Sequence, residues 1–290
     1  MVDESRTQRR AAVLGSPIGH SLSPRLHRAA YAGLRLNWRY DAIDVQSGNL
    51  ADFLDSLDPT WMGLSLTMPL KEEAFTLGDR LVDVTPLASS VTSINTLITD
   101  GAGGWRGDNT DVSGIVRSLH EAGFGDGPGT AIVVGSGATA RSAIAACARV
   151  GLHRIRVMAR RLPAADQLGP LIEEQGLEAL DPILLPMDDE DRPDDAWRER
   201  VNDARLWCST LPADAAQPLA RTLSTITLEQ APSLLDASYH PWPTPLAHAW
   251  PNAVIANGRG MLLWQAVEQV RLMTGQEAPV DMMREALISA

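Results

Sequence analysis

The sequence predicts an α/β protein built as two domains. Three observations carry that reading. Segments with helical apolar spacing alternate along the chain with short apolar runs of strand length, the pattern of layered α/β folds with parallel sheets. The 290 residues exceed what one core of average size organises. Between Gly125 and Gly129 the composition shifts to glycine and proline, as it does at domain boundaries.

Taken in order, Met1–Arg10 is polar and reads as a short frayed tail. Ser23 and Pro24 open the first helix as N-cap and first helical residue, with Leu26, Ala29, Ala30, Gly33 and Leu34 on one face. Leu50, Phe53, Leu54 and Leu57 repeat at i, i+3, i+4 and i+7 and mark a second helix. Apolar segments follow at Met62–Met68 and Ile94–Thr99, and Asp100–Gly104 has the composition of a hairpin turn. Val112, Ile115, Val116 and Leu119 form a third helical stripe, which Gly123 stops. Past the boundary, Ala131–Val134 is an all-apolar strand, and a helix runs on to Val150. Further strands are expected at Ile155–Met158, Arg205–Cys208, Leu234–Asp236 and Ala253–Ala256. The Asp- and Pro-rich stretch Met187–Arg200 reads as a solvated loop and short helix, and Met261–Met273 as the last long helix.

Composition removes several function classes. Hydrophobic residues make up 44% and charged residues 21%, ordinary for a soluble globular protein. A net charge of −11 argues against a nucleic-acid backbone or an anionic membrane as main partner. The longest apolar runs fall far short of the ~18–20 residues that span a bilayer. Cys147 and Cys208 are the 2 cysteines, and no CxxC, HExxH or ligand cluster suggests a metal. The expected setting is reducing and cytoplasmic.

One loop carries a mechanism of its own. Gly135, Ser136, Gly137, Ala138, Thr139 and Ala140 spell GxGxxA between an apolar strand and a helix. The first glycine permits the tight turn, and the second lets the backbone approach a pyrophosphate. The small third residue packs helix on strand, and the helix N-terminus faces the phosphates. About 20 residues on, where NAD enzymes carry an acid for the ribose 2′-hydroxyl, this chain has Arg160 and Arg161. Guanidiniums there suit a 2′-phosphate, so the expected cofactor is NADP and the second domain a Rossmann-type NADP-binding domain.

The first half holds an unusual string, Gly15-Ser16-Pro17-Ile18-Gly19-His20-Ser21-Leu22-Ser23-Pro24. It resembles the N-terminal signature G-x-P-I-x-H-S-x-S-P of the shikimate dehydrogenase family. The resemblance recurs in order along nearly the whole chain. Gly63 to Lys71 looks like that family's G-x-N-V-T-x-P-x-K, with Ser65 in place of the Asn. Ile94-Asn95-Thr96-Leu97 resembles V-N-T-L, and Gly107 to Gly114 resembles G-x-N-T-D-x-x-G. Asp236 to Leu246 is similar to D-x-x-Y-x-P-x-x-T-x-L, and Asn257 to Gln265 to N-G-x-G-M-L-x-x-Q. The NADP stretch, N-R-T in the family, is Ala159-Arg160-Arg161 here.

The resemblance implies a fold and a chemistry. An N-terminal α/β substrate domain of residues 1–112, completed by helices in 257–290, would be joined by an NADP-binding domain of residues 113–256. The site would lie in a cleft between them, at the carboxyl ends of strands. The implied activity is reversible reduction of 3-dehydroshikimate to shikimate, a step of chorismate and aromatic amino-acid biosynthesis. Lys71 and Asp111 would form the acid–base pair. Ser21 and Ser23 would bind the substrate carboxylate with Tyr239 closing over it, and Thr67, Asn95 and Gln265 would bind ring hydroxyls. Gly258 would lie against the cofactor. His20 and His27 read as structural, and Asp111 read from spacing alone could simply cap the helix at Val112. Because Ser65 departs from the family Asn, it would shorten one hydrogen-bonding group near the substrate. Alternatives on the same scaffold are a quinate or aminoshikimate dehydrogenase. From another class, a sensor could bind shikimate or cofactor without turnover. The expected partner is a small molecule, without nucleic acid or membrane, in a chain that could form a homodimer.

Overall fold

The computed structural model describes residues 7–188, 194–226, 228, 232–250 and 254–288. The first six residues of the expected tail, residues 189–193 of the acidic stretch, and Ala253 of the expected last strand lie outside the described residues. The chain divides into two compact units, residues 1–114 with 262–290, and residues 115–261. Both crossings fall inside helices, Asp111–Glu121 and Gly258–Thr274.

The first unit is a six-stranded sheet, in order β2-β1-β3-β5-β6-β4. Its strands are β1 (Arg9–Gly15), β2 (Trp38–Asp44), β3 (Trp61–Leu66), β4 (Leu81–Val84), β5 (Thr96–Thr99) and β6 (Trp105–Asp108). Arg9 and Arg10, expected in the frayed tail, instead open β1, because they lead directly into the apolar run 11–14. The sheet is mixed, not parallel throughout: β5 runs antiparallel to both β3 and β6. For the β5–β6 pair the cause is the tight turn at Asp100–Gly104, too short to cross back over the sheet as a parallel connection must. Asp100 Oδ1 accepts the N–H groups of Ala102 (2.7 Å) and Gly104 (2.8 Å) and fixes that turn.

Alternation along β1 assigns its two faces. Ala11 and Val13 pack with Leu26, Ala30, Tyr31, Tyr40, Leu263 and Val270. Ala12 and Leu14 face the other way, toward Leu50, Leu54, Leu70 and Ile94. Helices therefore cover both faces. The helix Ser23–Gly33 begins on Ser23 rather than being capped by it: Leu22 is the N-cap, and no side chain caps it. The second helix stops at Asp55, so Leu57 packs on the core from just beyond its end.

The second unit is a six-stranded parallel sheet in order β12-β11-β10-β7-β8-β9. The strands are β7 (Thr130–Val134), β8 (Arg154–Ala159), β9 (Glu178–Leu184), β10 (Ala204–Ser209), β11 (Ser233–Asp236) and β12 (Ile255–Asn257). Numbered within the unit this is the doubly wound order 3-2-1-4-5-6, whose switch point lies at the carboxyl end of its first strand. That strand is β7, buried along its whole length, and the GxGxxA loop follows it. Trp207, Ile132, Leu219, Leu234 and Trp250 pack together on one face. Cys147 and Cys208 are free, buried thiols with sulfurs 4.0 Å apart. No described helix is long and apolar enough to cross a membrane.

Candidate active site

In the first unit, the carboxyl ends of β1, β3 and β6 and the start of antiparallel β5 lie at one end of the sheet. Gly15, at the end of β1, has no room for a Cβ, which would run into Thr67 Cγ2 and Met68 O. That close approach lets Ser16 N–H donate to Met68 O (3.0 Å) and Thr67 N–H to Leu14 O (2.9 Å). The segments after β1 and β3 are thereby laced together. A single helical turn, Leu70–Glu73, then presents Lys71, whose carbonyl accepts the Ile94 N–H at 3.0 Å.

Asp111 is the first residue of its helix, but it does not cap it. Asn109 Oδ1 accepts the Val112 N–H at 3.2 Å, and both Asp111 oxygens go elsewhere. Oδ2 accepts from Lys71 Nζ at 2.5 Å, and Oδ1 accepts from Asn95 Nδ2 at 2.8 Å. The Lys71 and Asp111 side chains are only 13% and 5% exposed. Burying both charges costs several kcal/mol each, and the cost is met only where geometry is good and the remaining lone pairs are satisfied. Asn95 supplies that satisfaction. Its other amide hydrogen goes to Thr110 Oγ1 (2.9 Å), and its Oδ1 accepts from Thr110 N–H and Thr96 Oγ1, both at 2.8 Å.

The implied substrate residues fall into groups. Asn95 is buried with both amide hydrogens committed to protein, so it reaches Asp111 before any ring hydroxyl. Thr67 is half-buried in the turn just before Lys71. Gln265 is buried and donates to Leu262 O (2.9 Å) within its own helix. Ser21 and Ser23 follow β1: Ser21 Oγ accepts the Ser23 N–H at 3.4 Å, and Ser21 borders a groove with Arg28, Arg39 and Asp41. Tyr239 lies in the second unit, where burial raises its hydroxyl pKa above the usual tyrosine value.

Ser65 is a correction. Its hydroxyl does not open toward a ligand; it is buried, accepts from Tyr40 Oη at 2.6 Å and donates to Gln269 Oε1 at 2.8 Å. His27 is buried in the same network. It stacks on Tyr40 with ring centroids 4.0 Å apart, and its Nε2 lies 3.2 Å from Gln269 Oε1. Asn109, Thr110, Tyr40 and Gln269 were not singled out from sequence. Gln269 had one visible signal, a second glutamine one helical turn after Gln265.

In the second unit the GxGxxA loop has the form its spacing predicts. Gly135 adopts φ +112°, and a Cβ there would strike Thr210 Oγ1. Gly137 is exposed, and a Cβ would meet nothing within 4 Å, which leaves the backbone open to a ligand. It is the N-cap of the helix Ala138–Arg149, whose first-turn N–H groups lack intrahelical partners. Ser136, Ala138 and Thr139 are half-buried around it, and Ala140 is fully buried against the unit. Arg160 and Arg161 are exposed just past β8 and make no ion pair among the described residues. Gly258 opens its helix with its Cα against the Ala237 and Ser238 backbone, a contact that excludes any side chain.

A family profile described as the shikimate dehydrogenase substrate binding domain matches residues 13–97, and one described as the shikimate 5'-dehydrogenase C-terminal domain matches residues 258–288. The chain is 34% identical over 284 residues to a shikimate dehydrogenase (NADP(+)) from Moorella thermoacetica, covering 96% of this chain and 92% of that protein. It belongs to the shikimate dehydrogenase family. Among solved structures, Mycobacterium tuberculosis shikimate dehydrogenase aligns with a TM-score of 0.82 at 38% identity, over 97% of this chain and 100% of that one. The Thermus thermophilus shikimate 5-dehydrogenase, solved in complex with NADP(H) and shikimate, aligns with a TM-score of 0.77 at 29% identity, over 97% and 99% of the two chains.

Proposed function

We propose that this chain catalyses the reversible, NADP-dependent reduction of 3-dehydroshikimate to shikimate, with Lys71 as proton donor and Asp111 as its orienting partner. The observation that carries the reading is the buried Lys71–Asp111 pair, braced on its far side by Asn95. A pair kept only for stability gains little over apolar residues of the same volume. A held ammonium beside a carbonyl, in contrast, stabilises the alkoxide that forms there and can then protonate it.

The NADP-binding features fit. The open Gly137 backbone and the following helix N-terminus suit the pyrophosphate, and the exposed Arg160 and Arg161 suit a 2′-phosphate. When bound, the nicotinamide supplies hydride exchange with the ring carbon. In the reduction direction, Lys71 Nζ gives a proton to the oxygen that becomes the shikimate hydroxyl, then regains one from solvent. Asp111 keeps Nζ in place through both steps. Ser21, Ser23 and Tyr239 are assigned to the carboxylate and Thr67 and Gln265 to the ring, as neutral donors suited to a small hydroxylated acid, while Asn95, expected at the ring, has both amide hydrogens committed and serves as the brace of Asp111. Wrong ligands would leave such groups unpaired at about 1–3 kcal/mol each. We place the reaction in the cytoplasm, which suits two free buried thiols.

The deciding experiment is a set of initial rates of NADP reduction with shikimate and with quinate, for the wild type and Lys71→Ala. Turnover of shikimate that Lys71→Ala loses supports the reading. Binding of shikimate without turnover would make the protein a sensor, and faster turnover of quinate would move the substrate assignment.

A further inference from the structure

Behind the Lys71–Asp111 pair lies a second polar layer that the catalytic assignment does not use. Its centre is Gln269, on the Gly258–Thr274 helix and 1% exposed. Every hydrogen-bonding position of its carboxamide is taken. Oε1 accepts from Ser65 Oγ (2.8 Å) and faces His27 Nε2 (3.2 Å). Nε2 donates to the Asn95 carbonyl (3.2 Å) and to Thr96 Oγ1 (2.9 Å). Asn95 is the residue that braces Asp111, and Thr96 Oγ1 donates to the Asn95 side-chain oxygen. A path of direct contacts therefore runs from Gln269 through Asn95 and Thr96 to Asp111 and on to Lys71. A fully satisfied buried network of this kind fixes one geometry and penalises every other.

Ser65 explains why the amide comes from the helix. Ser65 and Thr96 are cross-strand partners in the antiparallel β3–β5 pair, so their side chains share a face as close neighbours. An amide-bearing side chain at position 65 would fall beside Thr96 Oγ1, the space the Gln269 amide fills. A serine is too short to reach across, and here it serves as the seat for Gln269 Oε1.

We propose that Gln269 is a positioning residue of the reaction, holding Asn95 and Thr96 so that Asn95 keeps Asp111 against Lys71, and that Ser65 and Gln269 form one unit with room for a single amide. This rests on the assignment of Lys71 and Asp111 as the acid–base pair. Two consequences follow. Loss of the Gln269 amide acts on the chemical step and not on NADP binding, and an amide returned from position 65 replaces it.

The test is steady-state kinetics and thermal melting of Gln269→Ala, Gln269→Leu, Ser65→Asn, Ser65→Asn/Gln269→Ala, Lys71→Ala and Lys71→Ala/Gln269→Ala. Gln269→Ala and Gln269→Leu should lower kcat for shikimate by roughly 10- to 100-fold, the cost of a small misplacement at a reacting centre, with KM for NADP unchanged. Ser65→Asn crowds two amides into one place and should also be slow. The Ser65→Asn/Gln269→Ala double variant should return to within about threefold of wild type, the non-additivity expected of side chains sharing one space. In the Lys71→Ala background, Gln269→Ala should cost nothing further. Wild-type kcat in Gln269→Ala, or a double variant that is slow or unfolded, would overturn the proposal while leaving Lys71 in place. If Gln269→Ala does not fold, the double variant carries the test alone. If Lys71→Ala keeps wild-type kcat, the acid–base assignment fails, and the proposal falls with it.

Discussion

His27 gives the first unit a predictable sensitivity to acid. It is fully buried, and burial lowers its pKa from 6.5 to about 3, opposed only in part by the contact with Gln269. The geometry gives the reason. Gln269 Oε1 can only accept, which fixes the proton on Nε2, and Nδ1 has no partner among the described residues. A second proton would have to sit on Nδ1, buried and unpaired. Folded His27 therefore stays neutral through the range in which an unfolded histidine charges. Because the folded pKa is lowered, the unfolded state binds more protons below pH 6.5, so stability falls as pH drops from about 6.5 toward 3. Integrated from pH 7 to pH 5 with these two pKa values, the loss from His27 alone is about 2 kcal/mol. Other groups titrate over the same range, so the measurement is a difference. His27→Gln keeps a donor toward Gln269 but cannot bind a proton. Urea unfolding at pH 7 and pH 5 should show wild type losing about 2 kcal/mol more than His27→Gln. Equal losses in the two proteins would refute the argument, and would mean that His27 reaches a proton acceptor or solvent in the folded state.

Three further outcomes are expected. Lys71→Ala should lower kcat by roughly 10²–10⁴-fold with a smaller change in shikimate KM, as measured by NADP reduction, because binding is shared among other residues. Arg160→Ala should raise KM for NADP far more than KM for NAD, since only NADP carries the 2′-phosphate; equal effects on both would make Arg160 structural. Asp236 is buried beneath Thr244, and burial raises its pKa despite the hydrogen bonds from Thr244 and Ser238. A raised acid pKa penalises the folded state as pH climbs from about 4, so wild type should gain stability relative to Asp236→Asn on acidification toward pH 4. A thermal-melting difference between the two that does not change with pH would show that Asp236 does not titrate in the folded unit.

What was legible in the sequence follows from where the physical constraint acts. The GxGxxA loop could be read because each position answers to backbone geometry: Gly135 to its positive φ, Gly137 to open approach and Ala140 to burial. Such constraints leave a mark on residue type at fixed spacing. The mixed sheet was also within reach, since the turn read at Asp100–Gly104 can join only antiparallel neighbours, yet the alternation of helix and strand patterns pointed to parallel pairing. Side chains that meet across the fold leave no such mark. Lys71 and Asp111 are 40 residues apart, and a lysine near a turn or an acid at a helix start is ordinary by itself. The resemblance, and not spacing, joined them. Gln269 meets Ser65 and Asn95 from more than 170 positions away. On its helix it occupies a core-facing position, where an apolar residue costs nothing and a polar one must find every partner. The same condition hid Ser65, whose place in a motif suggested a ligand contact while its hydroxyl faces Tyr40 and Gln269. A polar residue in an apolar stripe is thus a sign of a partner elsewhere in the chain. The identity of that partner depends on strand register, which in this protein sets Ser65 opposite Thr96 and brings the Gln269 amide within one residue of the side chain that braces Asp111.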